Sequence, residues 1–294
     1  MTKTRSLTAA AFLAALIAPV AAQAAVNWVL PSTTVVSGNR SWVTVDAASS
    51  DQAFAPNLRP LPLDTIKVFD PEGQAVEPQT PSMGKLRSSF DLQIAKPGTY
   101  KIASVSTAVL ASWTENGEVK RFRGSGDEFA TKVPAGAADL KTVKTLNRYE
   151  TFVTRDNPTT EVFKPTGQGL ELVPVTHPAD IVAGEAASFR FLLDGKPAAG
   201  LSVVLKRGGD FWNAKPAEID LKTSADGGVK VTLPQSGAWL ISASYHTGET
   251  GRGGGPGGPP GGPGGPGALP RPAQPLAGDG YGANYSATIE AQIP

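Results

Sequence analysis

Two arginines alternate with a phenylalanine in Lys120-Arg121-Phe122-Arg123-Gly124, shortly after an Asn116-Gly117 pair. In an extended strand, residues two apart share a face. Arg121 and Arg123 therefore point one way and Phe122 the other. Two neighbouring guanidinium forks suit carboxylates, phosphates or an anionic metal chelate. Trp113, across the expected hairpin, would add a flat surface to such a ligand site. The competing readings are a solvated, partly ion-paired strand face for the arginines and a core position for Trp113. Trp28 and Trp42 also read as core.

The remaining chemistry is sparse. The chain has 2 His and 0 Cys, too few imidazoles and no thiolate for a closed zinc site of the usual Cys/His kind. His177, in Val175-Thr176-His177-Pro178, is a weak metal candidate; a structural imidazole bonded to backbone is the stronger reading. His246 lies beside a Gly/Pro run and reads as exposed. Asp70, Glu72, Asp194 and Asp226 occupy turn positions, where such residues serve the turn itself, and Asp127-Glu128 reads as a loop pair. No spacing predicts the facing carboxylates of a glycosidase. Nucleophile-elbow, P-loop and dinucleotide motifs are missing from the sequence. A non-enzyme is the expectation, with no resident cofactor.

The elements that would carry these residues are strands. Trp42, Thr44 and Asp46 alternate with Val43 and Val45, and Phe90, Leu92 and Ile94 are spaced by two. Asp70-Pro71-Glu72-Gly73 has the residue order of a β-turn, and Asn-Gly between ASWTE and EVKRFR is a strong hairpin signal. Residues 139–154 allow a first helical turn but read better as a strand; no apolar stripe at helical spacing stands out beyond the N-terminal leader. After Pro165-Thr166-Gly167 come LELVPV, ASFRFLLDG, LSVVLKRG, EIDLKTSADG, GVKVTLP, AWLISASY and YSATIEAQI, short strands at the spacing of a sandwich. IAKPGTYKIASVS (94–106) and LPQSGAWLISASY (233–245) echo each other, with Gly98 and Gly237 in the turn and Tyr100 and Trp239 as buried anchors. The fold class expected is all-β: two immunoglobulin-like β-sandwich domains in tandem, residues 25–165 and 166–294, after a cleaved signal peptide at 1–24. A Gly/Pro-rich loop at 251–270, expected to be disordered, sits between two strands of the second.

Lys3 and Arg5, the apolar run Leu7 to Val20, and Ala22-Gln23-Ala24 have the layout of an export signal cleaved near Ala24. Without Lys3 and Arg5, 25 basic residues face 26 acidic ones. Such a balance gives no electrostatic case for nucleic acid, and no later run is apolar enough for a membrane helix. A soluble periplasmic protein, not membrane-embedded, is the expectation.

AVNWVLPSTTVVSGNRSWVTVDAASS (25–50), IKVFDPEGQAV (66–76), KRFRG (120–124), YETFVT (149–154) and GLELVPVTHPADIVAGEAASFRFLLDGKPAAGLSVVL (169–205) resemble the DUF4198 family along essentially all of the mature chain. These are exported bacterial proteins also described as NikM-like, or as periplasmic components of cobalt and nickel transport. The resemblance implies an accessory to uptake of a transition metal or metal chelate (Ni, Co, Fe), the metal or chelate being the transported ligand. It also implies an outer-membrane receptor or an inner-membrane transporter or reductase as partner. Where related sequences carry His, before the W-x-L-P-S segment and near 54–60, this one has Val26-Asn27 and Ala55-Pro56-Asn57-Leu58-Arg59. The first expectation is a non-enzymatic binding or accessory protein. A structural module docking an envelope receptor or membrane partner is the alternative, and an envelope carbohydrate hydrolase the third.

Overall fold

A computed structural model describes residues 25–38, 41–210, 213, 217–247 and 276–294. The leader at 1–24 and the Gly/Pro run at 251–270 lie outside the described residues. β-strands dominate, arranged in three sheets. A five-stranded antiparallel sheet runs in the order Val26–Pro31, Trp42–Ser50, Ser88–Gln93, Gln79–Met83, with Arg59–Pro60 on the second of these. A four-stranded sheet is built on Ala186–Leu193, flanked by Leu170–Pro174, Lys196–Pro197 and Gly228–Thr232. Between them runs a ten-stranded sheet to which residues from both sides of 165 contribute.

The seam of the ten-stranded sheet is parallel. Ala138–Arg155 pairs with Gly280–Ala291, Val143 opposite Gly280 through Thr151 opposite Thr288. On one side of the seam lie Gly98–Glu115 and Ile66–Phe69; on the other lie Gly237–Thr247, Ser202–Arg207 and Glu218–Lys222. The two smaller sheets cover opposite faces, as the last strand shows. Its Ala283, Tyr285, Ala287 and Ile289 join the core that includes Phe189, Phe191, Val203, Trp239 and Ile241. Its Ser286 and Thr288 hydroxyls point the other way and donate to the carbonyls of Asn27 and Val29, both at 2.6 Å. On that side Val29, Val45, Phe90 and Leu92 pack with Tyr100, Ile102, Tyr149 and Val153. A strand buried on both faces carries apolar or small residues at nearly every position, which YSATIEA does.

The echo between the halves is a shared device. Gly98 (φ +124°) and Gly237 (φ +108°) both occupy backbone open to glycine, two residues before a buried aromatic. The Tyr100 hydroxyl accepts from the N–H of Lys96 at 2.9 Å, and the Trp239 indole donates to the carbonyl of Gln235 at 3.0 Å. Each ring thus anchors the residue four positions upstream, as in the tyrosine corner of sandwich folds. Gly98 is doubly required, because a Cβ there would lie 2.5 Å from Cβ of Pro71.

Two expectations are corrected here. Trp42 is 50% exposed, not core; it shares the phase of Thr44 and Asp46, whereas Val43 and Val45 point inward. Trp28 is buried as expected, edge-on to Phe54 and bonded through its indole to Ser50 Oγ at 2.7 Å. Ser125-Gly126-Asp127-Glu128 is no plain loop: it is a capping box opening the helix Gly126–Lys132, with Ser125 Oγ accepting from the Glu128 N–H and the Glu128 carboxylate accepting from the Ser125 N–H.

Candidate functional site

The arginine pair lies on a hairpin arm. Asn116 (φ +52°) and Gly117 (φ +78°) form the two-residue turn whose twist suits antiparallel strands. It joins Gly98–Glu115 to Glu118–Ser125. Residues opposite each other in such a ladder share a face. Arg121 opposes Ser112, which in turn opposes Lys141; Arg123 opposes Leu110, which opposes Val143. One face of the arm therefore carries Arg121, Arg123 and Lys141, with both arginines exposed. Lys141 donates to the carbonyl of Ala277 at 3.3 Å.

Trp113 does not join them. It opposes Lys120, one residue out of phase with Arg121, and so lies on the opposite face with Phe122. There Phe122 packs on Phe129 of the capped helix, ring centroids 5.8 Å apart. The Trp113 indole N–H is buried without a partner among the described residues. The structure thus separates the three-residue ligand site drawn from the sequence into an arginine face and an aromatic face.

His177 sits where the connection after Arg155 meets the second half. It caps a short 3₁₀ turn, Nδ1 accepting the N–H of Ala179 at 3.1 Å. Nε2 lies 3.0 Å from Thr99 Oγ1 and 3.2 Å from the carbonyl of Thr159, and the ring meets Phe163 edge-on at 5.3 Å. With Nδ1 accepting, the proton belongs on Nε2, and a second proton would break the cap. Burial lowers the pKa below its ordinary 6.5, against smaller upward pulls from the Thr159 carbonyl and Asp180. The unfolded chain then binds this proton more tightly than the folded one, so stability is full above about 6.5 and falls as pH drops toward the folded value. In urea titrations between pH 7.5 and 5, wild type is expected to lose more stability than His177→Asn, which keeps a cap acceptor but does not titrate. Equal losses would contradict this role. His246 is exposed, opposite Gly282. Among the described residues no group of three or more His, Cys, Asp or Glu gathers into a metal-holding cluster.

Of the turn carboxylates, Asp70 and Asp226 bond within their own turns, whereas Glu72 and Asp194 reach partners outside theirs. Asp70 Oδ1 accepts from Glu72 and Gln74 N–H at 3.0 and 2.9 Å, and Oδ2 from Lys96 at 2.7 Å. Burial would raise this carboxyl, but those donors outweigh it and hold it below the usual range. Asp194 accepts from the Gly169 N–H at 2.8 Å and the Tyr281 hydroxyl at 2.9 Å.

The charge cluster that sequence reading missed is buried at the seam. Arg148 and Glu150 follow each other on one face of Ala138–Arg155, with Nη1 to Oε1 at 3.4 Å. Glu171, from the strand opening the second half, lies 3.6 Å from Arg148 Nη2, which also donates to Thr166 Oγ1 and the Gln168 carbonyl at 3.0 and 3.3 Å. Glu171 accepts from the Thr166 and Gly167 N–H groups, each at 2.8 Å. Tyr285 donates to Glu150 Oε2 at 2.9 Å; burial first, and the Glu150 charge second, push its hydroxyl well above the ordinary value. A cavity of about 10 Å³ beside Glu150, Glu171 and Lys101 has room for a single water. Both terminal guanidinium nitrogens and both carboxylates are hydrogen-bonded or ion-paired, which makes this cluster a clasp between the two halves; Arg148 Nε is buried without a partner among the described residues.

A family model described as "Domain of unknown function (DUF4198)" matches residues 22–247. The chain belongs to the DUF4198 family. No curated protein matches this DUF4198 chain. Among solved structures it is similar to the "D0-D1 domain of Intimin", at 11% identity over 91% of this chain and 98% of that one, with a TM-score of 0.21. It is also similar to a "tetra-tandem repeat in extending region of large adhesion protein", at 13% identity over 91% and 75%, with a TM-score of 0.19. No helix among its described residues is long and apolar enough to cross a membrane.

Proposed function

We propose that this DUF4198 chain is an exported, non-enzymatic binding or accessory protein of the periplasm, two immunoglobulin-like sandwich units serving transition-metal or metal-chelate uptake. The observation that carries the reading is the arm: a hairpin beyond the cores that presents Arg121, Arg123 and Lys141 on one face. Guanidinium forks bind carboxylates through paired N–H bonds, so an anionic chelate such as a metal citrate is favoured over a bare cation. The leader at 1–24, with its charged start and small residues before Ala25, supports export.

Calorimetry with Ni, Co and Fe ions and with their citrate chelates tests this. The chelates are expected to bind wild type, and Arg121→Ala/Arg123→Ala to weaken them at least tenfold, roughly the loss of one charged hydrogen bond. Chelate binding that ignores the double substitution, or no binding together with normal growth of a deletion strain under metal limitation, would contradict the proposal. A second reading, docking to an envelope receptor or inner-membrane partner, is favoured by one feature. Among the described residues Glu118–Ser125 pairs only with Gly98–Glu115, leaving an edge that a partner strand can extend.

A further inference from the structure

The outer face of the four-stranded sheet carries a feature independent of the arm. Ser188 opposes Lys230 and Arg190 opposes Gly228 in the ladder between Ala186–Leu193 and Gly228–Thr232. Phe189, Val229 and Val231, in the alternate phase, are buried in the core beneath. At the end of this face the chain leaves Glu218–Lys222, turns through Ser224 and Asp226, and enters Gly228–Thr232. The turn closes one side of an open groove of about 460 Å³ lined by Arg190, Lys222, Lys230, Ser188, Ser224 and Asp226. That volume lies within the range of small-molecule sites.

Three cations and one carboxylate line the groove, in a chain whose total charge is close to zero. The carboxylate is already committed. Asp226 Oδ1 accepts from Ser224 Oγ at 2.5 Å and from the Gly228 N–H at 3.2 Å, while Oδ2 faces Arg190 Nη2 at 3.3 Å. These hydrogen bonds, that of Ser224 foremost, hold its pKa below the ordinary value. Among the described residues neither Lys222 nor Lys230 has a carboxylate within salt-bridge distance, and both are exposed. One cation is therefore paired, and two ammonium groups remain in a lining that also holds the Ser188 and Ser224 hydroxyls. Ammonium groups are point charges that accept oxyanions from many directions. Val175, two-thirds exposed on the rim, offers a contact for the carbon skeleton of a ligand.

We infer that this groove is a binding site for a small multivalent oxyanion, a di- or tricarboxylate or a phosphate, held between Lys222 and Lys230 with Arg190 at one end. The groove shares no residue with the arginine arm and stands or falls without it. Binding is electrostatic and weakens as salt rises. Asp226 competes with the ligand for Arg190, so neutralising it frees the guanidinium for the anion.

Titrating citrate, tricarballylate and inorganic phosphate into the mature protein at low ionic strength, by calorimetry and by amide NMR, tests this. Citrate and tricarballylate binding together, with phosphate weaker, assigns a carboxylate site; phosphate binding alone assigns a phosphate site. Shifts are expected at Arg190, Gly228 and Lys230. Lys222→Ala/Lys230→Ala is expected to weaken binding at least tenfold and Asp226→Asn to tighten it severalfold; all three positions are exposed, and circular dichroism checks the fold. Arg121→Ala/Arg123→Ala is expected to leave this binding unchanged. If the arm variant abolishes anion binding and the lysine variant does not, the groove is overturned while the arm reading stands. No binding of any of the three anions also overturns it.

Discussion

Replacing Arg148 by methionine is expected to destabilise the protein by about 3–5 kcal/mol, the usual cost of removing one partner from a buried ion cluster. The side chains of Arg148, Glu150 and Glu171 are all under one-tenth exposed. Without the guanidinium two carboxylates remain in a medium that solvates them poorly, and Tyr285 satisfies only one oxygen of Glu150. The Thr166 hydroxyl and the Gln168 carbonyl also lose their donor. Removing the carboxylates as well, in Arg148→Met/Glu150→Gln/Glu171→Gln, should recover much of the loss, because the penalty comes from stranded charge rather than from a missing attraction. Urea unfolding of wild type, the single variant and the triple variant measures both effects. A single-variant cost below about 1 kcal/mol, the level of an exposed pair, would show that water reaches the cluster.

Trp239→Ala is expected to cost about 3–5 kcal/mol, the range for emptying a large aromatic from a core. Trp239 is fully buried among Phe189, Val203, Ile241 and Ile289, and its indole closes the corner on Gln235. Its counterpart Tyr100→Phe keeps the ring and loses one hydrogen bond to Lys96, for about 1 kcal/mol. Thermal denaturation of the pair separates ring from hydrogen bond. Similar costs for the two would mean that the Trp239 cavity refills.

The elements that follow local rules were legible from the sequence. Asn116-Gly117 demands positive φ at both positions, and the hairpin is there. Gly98 and Gly237 turn the chain, with Tyr100 and Trp239 buried two residues later. What sequence did not disclose depends on partners far along the chain. Arg148 and Glu150 alternate with Tyr149 and Thr151, and such alternation reads as a strand with one wet face. That face is dry because residues 166–171 and Tyr285 cover it. The parallel pairing of Ala138–Arg155 with Gly280–Ala291 joins segments more than a hundred residues apart, and no turn signal announces it. Two details were present in the residues and misread. Trp42 keeps step with Thr44 and Asp46, and Ser125 to Glu128 spells a capping box. Trp113 failed as a partner for the arginines because facing across a hairpin requires matching phase, not proximity in the turn.

One sheet running through both halves, closed by Trp28, His177 and the Arg148 clasp, implies that neither half unfolds independently of the other. Differential scanning calorimetry of the protein, alone and as Tyr100→Ala and Trp239→Ala, tests that coupling. A single transition that both substitutions move downward, its van't Hoff and calorimetric enthalpies in agreement, is the predicted result. Two transitions, one answering to Tyr100 and the other to Trp239, would contradict it.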